Sequence, residues 1–274
     1  METTDTAPAH PFGIDFGGSG IKGAPVDLAT GEFASKRVRI PTPEGAAPAE
    51  VAGVVEDLLE HMGASSDAPV GITVPAVVQH GVVRSAANID KSWIGVNADA
   101  LFTDQLDRQV TVMNDADAAG FAEARYGAAA GQSGLVIITT LGTGIGSALV
   151  YDGVLVPNSE LGHLEIDGHD AESRAANSAR EKQELSWAEW AEALTTYYRT
   201  VEKLFSPDLF VVGGGVSKHA KEFLPLIRVG TPIVPATLKN TAGIVGAAVL
   251  AHEMPDMVPA GGQPGSSRAG VNLP

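Results

Sequence analysis

The side chain best placed to move a proton sits in the stretch Val110-Thr111-Val112-Met113-Asn114-Asp115. A short apolar run ends there in Asn-Asp, and an alanine-rich helical pattern follows at once through Phe121, Ala122 and Tyr126. Open α/β sheets present chemistry at strand ends. A carboxylate held there beside a helix N-terminus is fixed by backbone geometry. Asp115 is therefore a candidate general base. The same residues could serve only as a helix cap, since Asn and Asp both accept hydrogen bonds from the first free N–H groups of a helix.

Glycine turns are the second feature with chemical potential. Gly17-Gly18-Ser19-Gly20 and Gly142-Thr143-Gly144-Ile145-Gly146 each lie between two apolar runs, and Gly213-Gly214-Gly215 closes a third. A dinucleotide fingerprint needs a helix that starts at the glycines, whereas Ser147 to Tyr151 reads as strand. A Walker A loop is absent, because no Gly-Lys-Ser/Thr occurs. A tight hairpin without Cβ atoms still exposes backbone N–H groups in a concavity suited to phosphate oxygens. Ser19 and Thr143 could add hydroxyl donors. Each turn taken singly could be an ordinary hairpin; their repetition favours phosphate binding.

These residues need elements to hold them. Residues 12–16, 21–26 and 32–40 read as three antiparallel strands, 50–62 as a helix, 70–75 as a buried strand and 82–83 as a short one. A polar loop covers 84–97, a short helix 98–107 and a strand 110–113. The pattern then restarts: strand 134–140, glycine turn, strand 147–151, an Asp152-Gly153 hairpin turn and 154–157. The strand–glycine turn–strand unit thus occurs twice, about 125 residues apart, as an internal repeat at domain scale. Two such halves facing each other would put both turns on one cleft. A polar loop follows over 158–169, helix-compatible sequence over 171–183, an amphipathic helix over 187–205 and a strand over 207–212. A helix over 218–226, a strand over 231–234 and a small-residue helix over 240–252 complete the core. Residues 1–10 and the Gly/Pro-rich 255–274 read as flexible ends.

Composition limits the partners. The 274 residues suit one large or two small domains sharing a cleft, and 44% hydrophobic residues supply a core. With Lys+Arg 18 against Asp+Glu 33 the formal charge is −15, which disfavours nucleic acid. A polyanionic ligand would need a local basic patch or a metal ion. No run approaches the roughly 18 apolar residues of a membrane span, and METTDTAPAH lacks the features of a signal peptide. The absence of cysteine rules out disulfides and thiolate metal sites and fits the cytoplasm.

Taken together, the motifs resemble those of the sugar-kinase, actin and heat-shock-chaperone superfamily. Asp15-Phe16-Gly17-Gly18-Ser19-Gly20-Ile21-Lys22 is similar to its first phosphate loop, Leu141 to Gly146 to its second, and Gly213-Gly214-Gly215-Val216-Ser217 to its nucleoside-side loop. Asn114-Asp115 and Glu160-Leu161-Gly162-His163 resemble the ROK group of repressors, open reading frames and kinases. The similarity runs from about residue 11 to 252. Pro157 to His163, residues 181–190, Phe223 to Leu226 and Thr231 to Pro235 point to the branch of that group that uses inorganic polyphosphate. ROK proteins usually carry a Cys-rich zinc motif after Glu-x-Gly-His. This chain has no cysteine, so that zinc site is missing and the substrate loop loses a metal staple.

The resemblance implies roles. Asp115 would take the proton from the 6-hydroxyl of glucose as that oxygen attacks phosphorus. Asn114 would orient the sugar, with capping as the alternative. Glu160 and His163 would hold a pair of hydroxyls, and Glu172 would be a further sugar contact. A metal set of His163, Glu165 and His169 lacks zinc spacing. Ser85, Asn88 and Asp90 lie in a loop where sugar contacts are plausible, and Asn88 is taken as a contact. Asp15 would sit near a Mg²⁺–phosphate complex or merely orient its turn. Donor phosphates would meet Gly17, Gly18, Ser19, Gly20, Lys22, Gly142, Thr143, Gly144, Gly214, Gly215 and Lys218. Lys221, Arg228 and Lys239 are further candidates for a basic track along a polyphosphate tail.

The expected architecture is an α/β, actin-like (ribonuclease H-like) two-lobed sugar kinase with mixed sheets and an interlobe cleft. A smaller lobe over 1–113 recovers the helix 240–252, a larger lobe spans 114–239, and 253–274 is a tail. The expected activity is transfer of a terminal phosphoryl from polyphosphate, and also from ATP, to glucose, in a cytoplasmic homodimer. An ATP-only kinase for glucose or another hexose or amino sugar is the nearer alternative. A sugar-sensing regulator is the remote one: such proteins carry a basic helix-turn-helix ahead of the first phosphate loop, and no Lys or Arg precedes Phe12.

Overall fold

The computed structural model describes residues 10–87 and 89–253. The expectations for residues 1–9, Asn88 and 254–274 lie outside the described residues. The chain opens with β1 (Phe12–Gly17), β2 (Gly20–Asp27), β3 (Glu32–Phe33) and β4 (Val38–Ile40), then α1 (Pro48–His61) and β5 (Val70–Val74). A two-stranded ladder of β6 (Val78–Gln79) and β7 (Val82–Val83) follows, then α2 (Ala98–Leu106) and β8 (Val110–Asn114). The first sheet has the order β3-β2-β1-β5-β8, with β4 also paired to β2. β1 and β2 are antiparallel, whereas β1–β5 and β5–β8 are parallel. The single strand expected over 32–40 is two short ones. Residues 35–37 are polar and exposed, offer no apolar alternation, and leave the ladder before the chain returns to pair Ile40 with Ile21.

The second half contains α3 (Asp115–Tyr126), β9 (Leu135–Leu141), β10 (Ile145–Tyr151), β11 (Val154–Val156), β12 (Glu165–Ile166) and β13 (His169–Asp170). It continues through α4 (Glu172–Ala175), α5 (Asn177–Lys182), α6 (Trp187–Phe205), β14 (Leu209–Gly213), α7 (Ala220–Phe223), β15 (Ile233–Pro235) and α8 (Ala242–Glu253). Its sheet has the order β11-β10-β9-β14-β15. The pairings on one side of β9 (β9–β10, β10–β11) are antiparallel and those on the other (β9–β14, β14–β15) are parallel. The first sheet is built the same way around β1, so the sequence repeat is a repeat of topology.

Two local expectations change. The polar loop over 158–169 contains a hairpin, because Asp167 and Gly168 both adopt positive φ and bring β12 back onto β13. Residues 218–226 are not one helix. Pro225 lacks an N–H and interrupts the ladder, leaving short 3₁₀ turns on either side of the single turn α7.

Each sheet buries its own apolar face. Phe16, Trp93 and Phe102 pack with tilted rings in the first core with Ile14 and Ile72. α6 closes the second, placing Trp190, Leu194, Tyr197, Tyr198 and Val201 inward from a start fixed by the Ser186–Glu189 capping box. α8 returns to the first sheet and packs on β1, β5 and α3. Gly13 and Gly71 permit that approach, since a Cβ on either would strike the backbone of Ile244 or Ala247. α3 packs on both α8 and β10 and so joins the two halves. No helix among the described residues is long and apolar enough to cross a membrane.

Candidate active site

A cavity of about 530 Å³ opens where the ends of β1, β5, β8, β9 and β10 converge. Asp115 lines it as the first residue of α3. Its Oδ1 accepts from the Ala116 N–H at 2.9 Å. Burial raises its pKa to about 6, helped by the charges of Asp15 and, more weakly, Glu160, and opposed by the backbone hydrogen bonds. Asn114 is the helix cap: its Oδ1 accepts from Ala116 N–H at 2.8 Å and Asp117 N–H at 3.1 Å. Its Nδ2 donates to the Ala76 carbonyl at 3.1 Å. Asn114 also lines the cavity, but both ends of its amide already hold protein backbone.

Glu160, His163 and Glu172 line the same cavity. His163 Nδ1 lies 2.9 Å from Asp170 Oδ2, and Nε2 lies 4.0 Å from Glu160 Oε2. The Asp170 hydrogen bond is the main cause of a raised His163 pKa. Glu160 is also raised, by burial, with His163 opposing. Glu172 Oε2 accepts from the Ile145 N–H at 3.0 Å, which ties this wall to the β9–β10 turn. The set with ligand atoms near one another is His163, Asp170 and Glu172, within 4.8 Å, and not Glu165 or His169.

The glycine turns line the same cavity, and Gly144 of the second turn lies against Glu172. Gly17, Gly18, Gly142, Thr143, Gly144 and Gly214 all line the cavity, as does Asp15. Gly17 pairs with Gly20, leaving Gly18-Ser19 as the tip of the first turn; Leu141 pairs with Ile145 across the second. Gly214 has φ of 82°, and a Cβ there would overlap the Leu141 backbone. Ser19, Gly20 and Lys22 do not line the cavity. Lys22 Nζ instead pairs with Asp15 Oδ2 at 3.3 Å, and Thr73 donates to Asp15 Oδ1 at 3.3 Å.

Gly215 and Lys218 line a second cavity of about 240 Å³, which shares Gly142 with the first and also includes Arg180 and His219. Lys221, Arg228 and Lys239 line neither cavity. Arg228 is bound to both oxygens of Glu192. Ser85 lines the main cavity and accepts from the Val77 N–H at 3.0 Å. Asp90 instead caps the Lys91–Trp93 turn through Ser92 N–H.

Sequence reasoning missed Asp117, Asn158, Asp170 and Arg180. Asp117 is only 2% exposed, burial raises its pKa to about 7, and its Oδ2 accepts from the Asn158 N–H at 2.7 Å. The available signal was an acid inside an otherwise alanine-rich helical face. Asp170 lies on β13, at the end of the segment whose sequence reads as a polar loop. Arg180 stacks over Trp187 at 4.1 Å beside the second cavity, a contact between residues of two separate helices.

The chain is similar to known proteins. A sequence model of the ROK family matches residues 11–174. A polyphosphate glucokinase of Mycobacterium tuberculosis is 50% identical over 253 residues, spanning 90% of this chain and 95% of that one. Among solved structures, an inorganic polyphosphate/ATP-glucomannokinase from Arthrobacter sp. strain KM is 57% identical, with a TM-score of 0.84 over 89% of this chain and 98% of that chain. A ROK glucokinase from Streptomyces griseus, solved with glucose and AMPPNP, shares the fold at 24% identity and a TM-score of 0.72, over 89% of this chain and 99% of that chain. The architecture is the actin-like, two-lobed α/β fold of the sugar kinases.

Proposed function

This chain belongs to the ROK family, and we propose that it is a glucokinase that moves a terminal phosphoryl from inorganic polyphosphate, or from ATP, to the 6-hydroxyl of glucose. The observation that carries the reading is the place of Asp115. Its carboxylate lines one cavity together with the glycine turns, Glu160 and His163. The names and activities of relatives at 50% and 57% identity support the donor and the acceptor.

A hexose hydroxyl ionises far above pH 7, so a positioned base must take its proton as it attacks phosphorus. With a pKa of about 6, Asp115 is ionised at neutral pH yet holds a proton better than a free carboxylate does. Glu160 accepts from sugar hydroxyls, and His163, fixed at Nδ1 by Asp170, presents Nε2 to them. Glu172 supports the same wall through Ile145. Backbone N–H groups of the glycine turns receive phosphate oxygens. The donor tail runs past Gly215 toward Lys218, His219 and Arg180, a local basic patch on a chain of net charge −15.

Mg²⁺ fits this oxygen-rich site. Asp15 lines the cavity beside Gly17 and Gly18, and its charge, with that of Glu160, already disfavours ionisation of Asp115. Asp15 would hold the ion directly or through water, and the ion would neutralise charge on the donor phosphates. We further propose that residues 1–113 with 240–252 move as one lobe against 114–239, closing over sugar and excluding water. We also propose that the protein works as a homodimer in the cytoplasm.

A donor-by-acceptor panel tests the reading. Purified protein with Mg²⁺ is offered polyphosphate, ATP or GTP against glucose, mannose, fructose and N-acetylmannosamine. Glucose 6-phosphate should form from polyphosphate and from ATP. Product from ATP alone would overturn the donor, and no sugar phosphate under any pairing would overturn the kinase.

A further inference from the structure

Asn158 connects the two halves of the chain through one side chain. It follows β11 and has φ of 62°, in the left-handed region that Asn tolerates better than most residues. Its Oδ1 accepts from the Val78 N–H at 3.0 Å and its Nδ2 donates to the Val78 carbonyl at 2.9 Å. The amide thus completes one rung of a ladder with β6, a strand of the first half. Beneath it, the Asn158 N–H donates to Asp117 Oδ2 at 2.7 Å.

The placement of the three partners is what gives this contact consequence. Asp117 lies two residues beyond Asp115 on α3. Asn158 lies two residues before Glu160. Val78 follows Val77, which lines the cavity and is held by Ser85, another lining residue. Asp117 is 2% exposed, and its Oδ1 is buried with no hydrogen-bond partner. A helix face packed into a core has no need of such an acid, and a buried polar atom left unpaired is unfavourable. The bond to Asn158 is what the acid provides.

We propose that Asp117 and Asn158 are positioning residues: together they hold the β6–β7 hairpin and the Glu160 loop around the acceptor, and so set affinity for the sugar without touching the reacting atoms. The inference rests on the glucokinase reading above. It assigns the pair to the sugar side only, because none of its bonds reaches a glycine turn.

Three variants separate the clasp from the fold. Asn158→Gly keeps the left-handed backbone and the N–H to Asp117 but deletes both bonds to Val78. Asp117→Ala removes the anchor, and Asp117→Asn keeps an acceptor in its place. The KM for glucose should rise about tenfold in Asn158→Gly and similarly in Asp117→Ala, with the KM for polyphosphate changed by less than about twofold. Glucose binding measured by calorimetry should weaken in parallel. The double variant Asp117→Ala/Asn158→Gly should be no worse than Asp117→Ala alone, and Asp117→Asn should recover part of the loss. If Asp117→Ala fails to fold, Asn158→Gly decides the question. An unchanged glucose KM in Asn158→Gly, or equal losses for both substrates, would overturn the clasp while leaving the kinase reading intact. A wild-type protein that phosphorylates no sugar would instead overturn that reading.

Discussion

The Asp15 carboxylate raises the proton affinity of Asp115 from two strands away in the same sheet. Asp15 sits on β1 and Asp115 follows β8, and both face the cavity. The base must be ionised to act, so activity should fall as pH drops through about 6. Removing the neighbouring negative charge should lower that pKa in the metal-free protein. A carboxyl NMR titration of Asp115 in metal-free Asp15→Asn measures this. A midpoint that stays in place or moves upward would contradict the coupling.

The same shift has a consequence for stability. A carboxylate whose folded pKa is raised opposes folding when ionised. That penalty is absent below the ordinary value of 3.8, builds between there and about 6, and is constant above. Asp115→Asn should therefore be more stable than wild type at pH 7, by roughly 1–3 kcal/mol, and indistinguishable below about pH 4. Urea unfolding at the two pH values is the measurement. A variant less stable than wild type at pH 7 would contradict the burial of this charge.

Asp170, on β13, holds the ring of His163. Its hydrogen bond is the largest cause of the raised His163 pKa. Asp170→Asn should lower that pKa, and NMR titration of the His163 ring protons reads it directly. The pair favours the folded state while His163 is protonated, so any difference in stability should fade as pH rises through the His163 pKa. Titration curves that coincide would show that Asp170 does not hold the ring.

Gly214 is required by space as well as by φ. A Cβ would meet the backbone of Leu141 at the start of the second glycine turn. Gly214→Ala should destabilise by roughly 2 kcal/mol or more and raise the KM for both phosphoryl donors. Thermal unfolding and donor kinetics check it. A variant with wild-type donor KM would place the phosphates elsewhere.

Much of this site could be read from the chain because its parts are local. An apolar run followed by glycines marks a strand and a tight turn, and the second copy of that unit made the twofold plan visible. Asp115 stood out for the same reason, at the end of Val110 to Met113. What escaped reading depends on distant partners. Asp117 meets Asn158 and Asn158 meets Val78 only after the two halves fold together, and a lone Asp or Asn carries no periodic signal. Lys22, a phosphate candidate beside its turn, is paired with Asp15 across the β1–β2 register, a contact between strands that spacing alone does not display. Asn114, expected to orient the sugar, caps α3 and also lines the cavity.

The central claim is that Asp115 takes the proton. Asp115→Asn is nearly isosteric and leaves the Asn114 cap in place. It should still bind glucose by calorimetry with an affinity near wild type, while kcat with polyphosphate falls about 10²- to 10⁴-fold. A kcat within a few-fold of wild type, with glucose binding intact, would contradict the assignment of Asp115 as the base.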